Sequence, residues 1–209
     1  MEKDNPACRI FFTGVGGQGT LLATRLVGEA ALEAGIPVLM SEIHGMAQRG
    51  GVVESSVALG HAVSPMIADS EADILIAFEP LEAARAVPKC NSKTVVITSI
   101  TPIPPFAVTI GQGSYPDREE LYAMVEPYVG SLIRVDAEAI ARRVGAQRSS
   151  NVTLIGVLAG LGIVPIPKTC FEQALRIILP ERLLESNQRA FDAGYIFGSE
   201  TLTSGRHSL

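Results

Sequence analysis

A glycine-rich run near the start of the chain is the first feature whose residues could do chemistry. Gly14, Gly16 and Gly19 fit the pattern G-x-G-x-x-G, in which glycines permit positive φ and let the backbone approach a ligand closely. The run follows the apolar segment 8–13 and precedes a helical pattern that begins at Thr20. Because the first N–H groups of a helix are unpaired and carry partial positive charge, this loop is shaped to receive an anionic group.

Two interpretations of the loop stay open on the sequence alone. A dinucleotide site also requires an acidic residue about 20 residues further on, at the end of the second strand. Glu42 is the nearest acid and comes slightly late, and the amide of Gln18 takes room in the loop that a pyrophosphate would need. The alternative is that the glycines only permit a tight turn between strand and helix.

The segment 44–51, His-Gly-Met-Ala-Gln-Arg-Gly-Gly, is a second concentration of functional groups. His44 and Arg49 are the candidate catalytic residues, since an imidazole exchanges protons near neutral pH and a guanidinium binds carboxylate or phosphate through two hydrogen bonds. The alternatives are a surface histidine and an ion pair from Arg49 to Glu42 or Glu54.

The residues predicted to bind a cofactor lie in or beside these two segments: Gly14, Gly16, Gly17, Gln18, Gly19, Thr20, Glu42, Gly50 and Gly51. No metal ligand is assigned. His44, His61 and His207 are far apart in the sequence, and the chain has no Walker lysine and no nucleophile elbow.

The pattern of strands and helices around these groups predicts a Rossmann-like α/β fold. It has a mostly parallel sheet, flanking helices and a C-terminal helical segment. Apolar runs at 8–13, 73–78 and 94–98 are typical of strands buried on both faces. Further strands are expected at 36–40, 52–59 and 132–135. The first strand, helix and second strand predict a βαβ unit.

The remaining segments divide into helices and connections. Helices are expected at 20–34, 79–87, 117–126, 136–144, 150–161, 169–179 and 180–197. The 150–161 helix is rich in glycine and alanine, so we expect it to be buried and closely packed. Residues 41–51 are expected to form a loop, 100–115 an extended arm, and 199–209 a polar tail.

Composition narrows the class of protein. The 209 residues carry 17 Lys+Arg and 22 Asp+Glu, a net charge of −5 with no basic tract, which disfavours nucleic-acid binding. No apolar run reaches the roughly 20 residues of a membrane helix, and we do not expect the polar N-terminal residues to act as a signal peptide. The three cysteines are far apart, so we expect reduced thiols in a cytoplasmic protein.

Three segments together resemble the gamma-type domain of the 2-oxoacid:ferredoxin oxidoreductases. They are Thr-Gly-Val-Gly-Gly-Gln-Gly-Thr at 13–20, the run from Ser41 through Arg-Gly-Gly at 49–51, and Ala-Asp-Ile-Leu-Ile-Ala-Phe-Glu-Pro-Leu-Glu at 72–82. The form His-Gly-Met-Ala-Gln before Arg-Gly-Gly resembles the indolepyruvate branch most, in particular its beta subunit. Asn151 also fits the family pattern. The resemblance covers about residues 8–165.

The resemblance implies a subunit of a complex that oxidatively decarboxylates a 2-oxoacid to an acyl-coenzyme A and passes electrons to ferredoxin. Thiamine diphosphate, Mg²⁺ and iron–sulfur clusters are then expected in a large partner subunit, and this chain is expected to bind no redox cofactor alone. Residues 1–165 are expected to form the gamma-type catalytic domain, and 166–209 a helical extension packed on it. The isolated chain is expected to be able to form a homodimer.

Two other functions remain open at this point. One is a free-standing NAD-dependent Rossmann oxidoreductase, which depends on the glycine pattern together with Glu42. The other is a regulatory module that binds a nucleotide or an acyl-coenzyme A.

Overall fold

One sheet and seven helices make up the part of the chain that the computed structural model describes, residues 7–44, 51–104, 108, 110–111 and 113–204. The strands are β1 (Cys8–Val15), β2 (Val38–His44), β3 (Val52–Leu59), β4 (Ile74–Ala77), β5 (Val95–Ser99) and β6 (Ser131–Val135). The helices are α1 (Thr20–Glu33), α2 (Pro80–Arg85), α3 (Arg118–Val125), α4 (Ala137–Arg143), α5 (Ser150–Gly160), α6 (Lys168–Ile178) and α7 (Glu181–Thr203). Short 3₁₀ turns lie at Val87–Lys89 and Glu126–Tyr128.

The six-stranded sheet is ordered β2-β3-β1-β4-β5-β6. β1, β4, β5 and β6 are parallel neighbours, whereas β3 runs antiparallel to both β1 and β2. All strands except β3 therefore point the same way, which confirms the predicted α/β fold with a mostly parallel sheet. All four residues of β4 are buried, as expected for a strand covered on both faces.

The predicted βαβ unit is wrong in one respect, because β1 and β2 are not neighbours. β3 lies between them, with Ser55 opposite both Phe12 on β1 and Glu42 on β2. The connection from β2 to β3 is short, and a short connection can only join an antiparallel pair. β3 therefore runs back antiparallel to β2 and pairs with β1 along its other edge.

The loop predicted at 41–51 is wrong for its first four residues. β2 continues through Ser41 and Glu42 to His44, paired with β3 along its whole length. Polar residues are tolerated here because β2 is an edge strand, and Glu42 is exposed. Residues 45–50 lie outside the described part of the chain.

The last helix is longer than predicted. α7 runs to Thr203 and not to 197, so the predicted polar tail is helical over its first residues. Ser199 Oγ donates to the Gly160 carbonyl of α5 at 3.3 Å, and Thr201 Oγ1 donates to the Phe197 carbonyl at 2.8 Å. Contact with α5 thus stabilises the last helical turns of α7, although their residues are mostly polar.

Three helices are capped by the acidic residues at which the helices predicted at 79–87, 117–126 and 136–144 begin. Asp117 accepts a hydrogen bond from Glu119 N–H at 2.8 Å, and Asp136 from Ala139 N–H at 2.9 Å. Glu79 caps α2 by accepting from Glu82 N–H at 2.9 Å. Each carboxylate satisfies an otherwise unpaired N–H group of the first turn.

Two apolar layers cover the sheet. Residues of α1, α5, α6 and α7 share one core with Ile10, Phe12 and Ile76 on one face. Phe11 and Leu75 pack on the other face with residues that follow α2 and end α3. The core on the first face joins residues before and after position 166, so the division into 1–165 and 166–209 stays a proposal. None of the described helices combines the length and hydropathy that a bilayer crossing needs.

Candidate functional site

The glycine loop joins β1 to α1 at the carboxyl edge of the parallel strands. Gly17 has a φ of 102° and Gly19 a φ of 77°, in the left-handed region that glycine adopts at little cost. A Cβ at Gly14 would lie 2.8 Å from Gln18 Oε1 and 3.1 Å from Phe78 Cβ. Close packing therefore requires glycine at position 14, and the backbone conformation favours it at positions 17 and 19.

The amide of Gln18 holds the loop in this shape. Its Oε1 accepts from Val15 N–H at 2.6 Å, and its Nε2 donates to the Phe78 carbonyl at 2.7 Å. Val15 and Phe78 are only 8% and 3% exposed, so their backbone groups have little access to water. Gln18 thus joins the end of β1 to the residue that follows β4.

Helix α5 fills the space at the third glycine. Asn151 Nδ2 donates to the Gly19 carbonyl at 3.3 Å, and a Cβ at Gly19 would collide with the same amide. The close approach that this glycine permits is therefore used by α5. Thr20, the first residue of α1, is buried, and its hydroxyl has no hydrogen-bond partner within the described residues.

This geometry disfavours the dinucleotide alternative. The amide of Gln18 is bound to the backbone of Val15 and Phe78, and the amide of Asn151 lies against Gly19, so both take room beside the loop that a pyrophosphate would need. Glu42 lies on β2 with β3 inserted before β1, a separation of two strand spacings or about 10 Å. The acid that would bind the ribose is therefore displaced from the loop.

A cavity of about 350 Å³ opens beside the loop, and we call it the glycine-loop cavity. Its lining comes from the glycine loop, the residues at and just after the end of β5, and the start of α5, and includes Gly17, Gln18, Ser99, Thr101, Arg148 and Ser150. Open α/β sheets bind their ligands outside the carboxyl ends of their strands. The cavity therefore lies where the fold would place a ligand.

The electrostatics of the glycine-loop cavity favour an anion at its α5 end. Arg148 is exposed and forms no ion pair with any residue in the described ranges. Ser149 precedes the 11-residue helix α5 without a capping hydrogen bond from its side chain, so this side chain gives the first N–H groups of the helix no acceptor. Glu138 also lines the cavity and would repel an anion placed near it.

A buried carboxylate fixes the arm that forms one wall of the cavity. Glu79 is fully buried, and its Oε1 accepts from Ile103 N–H at 3.3 Å and from the Tyr115 hydroxyl. Burial and the neighbouring Glu79 carboxylate raise the pKa of Tyr115, so the phenol stays a neutral donor. Ile103 and Tyr115 are thereby tied to the start of α2, and Thr101 and Ile103 line the cavity.

Replacing Tyr115 by phenylalanine should loosen this arm. The change removes the hydroxyl that donates to Glu79 Oε1. Losing a hydrogen bond to a charged group lowers the free energy of unfolding by about 1.5–3 kcal/mol. Urea denaturation measures the loss, and Tyr128→Phe, at a position 60% exposed, is the control that should change nothing. Equal stability of both variants would show that the hydroxyl does not hold the arm.

The second predicted segment reaches the same edge of the sheet. The Gly51 carbonyl accepts from Gly16 N–H at 2.9 Å, so the end of that segment touches the glycine loop. His44 ends β2, but its side chain lies outside what the structure describes, as do Arg49 and Gly50. Their roles, and the suggested ion pairs of Arg49, stay predictions.

Sequence reasoning missed most of the cavity wall. Arg148 and Ser150 precede and open α5, Thr101 follows β5, and Tyr115 lies at the end of the arm. The residues Arg-Ser-Ser before an apolar helix were a usable signal, because serine caps helices and arginine binds anions. Tyr115 carried no signal, since its partner Glu79 lies 36 residues away.

Cys90 and Cys170 are buried thiols, and Cys8 is partly buried. Burial raises the pKa of Cys8 to about 12 and that of Cys90 to about 11, which disfavours the thiolate that binds metal. All three are free. Within the described ranges, no group of three or more His, Cys, Asp or Glu side chains could hold a metal ion.

Comparison with known proteins gives one family. The family described as pyruvate ferredoxin/flavodoxin oxidoreductase matches residues 9–197. The indolepyruvate oxidoreductase subunit IorB of Methanothermobacter thermautotrophicus is 40% identical over 192 residues, which is 92% of this chain and 98% of that relative.

Solved structures share the fold at low sequence identity. The gamma subunit of a keto/oxoacid ferredoxin oxidoreductase from Geobacter sulfurreducens superposes with a TM-score of 0.67 at 22% identity, covering 92% of this chain and 99% of that one. The 2-oxoglutarate:ferredoxin oxidoreductase from Magnetococcus marinus, solved with 2-oxoglutarate, coenzyme A and succinyl-CoA, gives 0.68 at 18% identity. That match covers 93% of this chain but 31% of the other, so there the same fold is one part of a longer chain.

Proposed function

The chain belongs to the pyruvate ferredoxin/flavodoxin oxidoreductase family, and from this premise we propose that it completes the active site of an indolepyruvate-type 2-oxoacid:ferredoxin oxidoreductase without itself holding a redox group. The observation that carries the proposal is the alignment with an indolepyruvate oxidoreductase subunit over 98% of that relative's length. The reaction converts an arylpyruvate and coenzyme A to an acyl-coenzyme A and CO₂, with two electrons passed to ferredoxin. We place the complex in the cytoplasm.

The residues of this chain do not fit an iron–sulfur cluster. Cys8 lies in β1, Cys90 follows α2 and Cys170 lies in α6, and a cluster requires several thiolates close together. We therefore assign the clusters, together with thiamine diphosphate and Mg²⁺, to a large partner subunit. Ferredoxin would receive its electrons from that partner.

The residues do fit the phosphate groups of coenzyme A. Arg148 and the uncapped start of α5 offer a guanidinium and free N–H groups on one side of the glycine-loop cavity. Coenzyme A supplies the thiol that accepts the acyl group. The contribution of this chain is to hold the anionic end in place, and Gln18 keeps the adjoining wall in shape.

The edge beside the cavity is the surface that we propose to meet the partner. Gly16 and Gly51 are joined there by a backbone hydrogen bond of 2.9 Å, so the glycine loop and the end of the 44–51 segment form one face. His44 and Arg49, which belong to the same segment of the sequence, are our candidates for the residues that would reach the reacting groups. Burying this face in a complex would exclude water from the cavity.

Co-expression tests the proposal. The chain alone, the large thiamine-dependent partner alone and the co-purified pair are assayed for coenzyme A-dependent reduction of ferredoxin with indolepyruvate. We expect activity in the pair and none in this chain, with size-exclusion chromatography reporting whether the isolated chain forms a homodimer. Dye reduction by the chain alone, or full activity of the partner alone, would contradict the proposal.

A further inference from the structure

The outer edge of β2 is a strand edge that no described strand covers. β2 lies at one end of the sheet order, and β3 is its only neighbouring strand among the described residues. It is seven residues long, contains no lysine or proline, and keeps an unbroken register with β3. Natural proteins protect an edge strand with such residues, with a bulge or with a short length, because an unprotected edge pairs with another strand. The edge of β2 lacks these protections.

Exposed apolar side chains lie on both faces of β2. Met40 is 44% exposed and packs against α1, where a Cβ at Gly28 would collide with its Sδ. Leu39 is exposed as well and points to the opposite face, because side chains alternate along a strand. Met66 is also exposed and lies on that second face beside Ser41, whose hydroxyl is 3.7 Å from the Met66 Sδ. Exposed apolar groups gathered at one place mark a surface that another protein covers.

One stripe of α1 runs beside this strand. Leu21, Arg25 and Leu32 lie seven residues before, three before and four after Gly28, and such spacings place helix residues on one side. Gly28 lies against Met40, so the stripe follows β2. Leu32 is 59% exposed, Arg25 is exposed and Leu21 is half-buried. We call β2 together with this stripe the β2 edge.

Two charges at the β2 edge have no ion-pair partner within the described part of the chain. Arg25 belongs to the stripe, and Glu29 lies beside it, one helical turn further on. Neither forms an ion pair with the other or with any other residue that the structure describes. Opposite charges that stay apart within one copy can pair between two copies. The β2 edge is therefore complementary in charge to itself.

The apolar ends of the stripe are related by a two-fold axis through the middle of β2. α1 runs antiparallel to β2, because it leads back from the end of β1 and the two strands point the same way. The midpoint between Leu21 and Leu32 lies between positions 26 and 27, about 2 Å before Gly28 along the helix. Met40 lies against Gly28, so this midpoint is level with the next residue of the strand, Ser41, which is the central residue of β2. One axis therefore relates the halves of both elements.

We propose that two copies of this chain associate through the β2 edge, about a two-fold axis at Ser41 and normal to the sheet. The axis pairs β2 with its copy along all seven residues and joins two six-stranded sheets into one. It also places Leu21 opposite Leu32 of the second copy. Arg25 then lies within about 3 Å, measured along the helix axis, of Glu29 of the second copy. A strand from an unrelated partner would give no reason for this internal symmetry.

The proposed dimer goes beyond the function proposed above and leaves the surface assigned to it free. The β2 edge lies along the side of the sheet, whereas the glycine-loop cavity lies at the carboxyl ends of the strands. The large subunit can therefore bind to each copy of the dimer, and the complex contains two copies of each chain.

Sedimentation equilibrium of the isolated full-length chain tests the interface, and we expect a dimer at micromolar concentration. Leu39→Lys and Leu32→Lys each remove two leucines from the interface and add two like charges, so each should raise the dimer Kd by about tenfold or more. Ile196→Lys, at an exposed position of α7, is the matched control and should leave the Kd unchanged. Circular dichroism verifies that all three variants are folded.

A charge exchange distinguishes a second copy from any other partner. Arg25→Glu and Glu29→Arg each place like charges across the axis, and we expect each to raise the dimer Kd by about threefold to tenfold. In the variant with both substitutions, opposite charges face each other again, so the Kd should return to within about threefold of the wild-type value. Exchanging charges within one chain restores an interface only when both sides of it are copies of that chain.

Cross-linking tests the position of the axis. Cα atoms of directly opposite residues in antiparallel strands lie about 4.5–5.5 Å apart, within the span of a disulfide. Ser41→Cys should therefore give a covalent dimer on mild oxidation. The wild-type chain and Ser92→Cys, at an exposed position before β5, are the controls and should run as monomers on a denaturing gel.

Four results would overturn the proposal. They are a monomeric chain at about 100 μM, a dimer Kd unchanged by Leu39→Lys and Leu32→Lys, no recovery in the charge-exchanged variant, and no covalent dimer from Ser41→Cys. A monomeric chain whose Leu39→Lys variant no longer co-purifies with the large subunit would show that the β2 edge receives that subunit instead. These measurements read self-association alone, so their failure leaves the co-expression result unaffected.

Discussion

Replacing Gly156 by valine should destabilise the protein by about 3 kcal/mol or more, at the upper end of overpacking costs. For a chain of this length, that corresponds to a fall in melting temperature of roughly 6–12 °C. Gly156 lies in α5, where a Cβ would collide with the Phe191 carbonyl of α7 and would lie 2.9 Å from Tyr195 N. Backbone atoms cannot rotate away as a side chain can, so the two helices would have to separate.

Four glycines produce this contact. Gly156 and Gly160 of α5 face the backbone of α7, and Gly194 and Gly198 of α7 face the carbonyls of Thr153 and Val157. Valine has a better intrinsic helix propensity than glycine, so a loss of stability must come from the packing between helices. Differential scanning calorimetry measures the change.

Ala123→Val is the control for this substitution. Ala123 is an exposed residue of α3, and valine there should cost only the few tenths of a kcal/mol that reflect helix propensity. If Gly156→Val melted within a degree or two of the control, α5 and α7 would have to be able to separate at little cost.

The close packing of α5 was predictable from its sequence, but its partner was not. A helix at 150–161 rich in glycine and alanine predicts close approach by something. Glycines at i and i+4 also recur in the last helix, at 194 and 198. Nothing in either pattern says that the two sets face each other, because that contact depends on how α6 and the chain around it turn.

In the glycine loop, too, some features were predictable from the sequence and others were not. The strand before the loop, the helix after it and the need for glycine were predictable, since they depend on residues close together in the sequence. The insertion of β3 beside β1 was not predictable, because this antiparallel neighbour is distant in sequence and is selected by sheet pairing and not by a local pattern. The bond from Tyr115 to Glu79 and the position of Asn151 against Gly19 also join residues distant in sequence.

Replacing Gln18 by leucine should affect the site and the fold together. Leucine has a similar size but cannot accept from Val15 N–H or donate to the Phe78 carbonyl. Both backbone groups belong to residues that are almost fully buried, and each unsatisfied group costs about 1–3 kcal/mol. We therefore expect a loss of roughly 2–6 kcal/mol in the free energy of unfolding, measured by urea denaturation, for the two groups together.

Activity should fall further than stability explains. Gly17 and Gln18 form one wall of the glycine-loop cavity, and a loop released from β4 would no longer present that wall to a ligand. In the co-purified complex, assayed where the variant is still folded, we expect a loss of about tenfold or more from misplaced binding groups. Gln173→Leu, at an exposed position of α6, is the matched control and should keep full activity. Full activity of folded Gln18→Leu would mean that the amide stabilises the loop and that the loop has no part in the reaction.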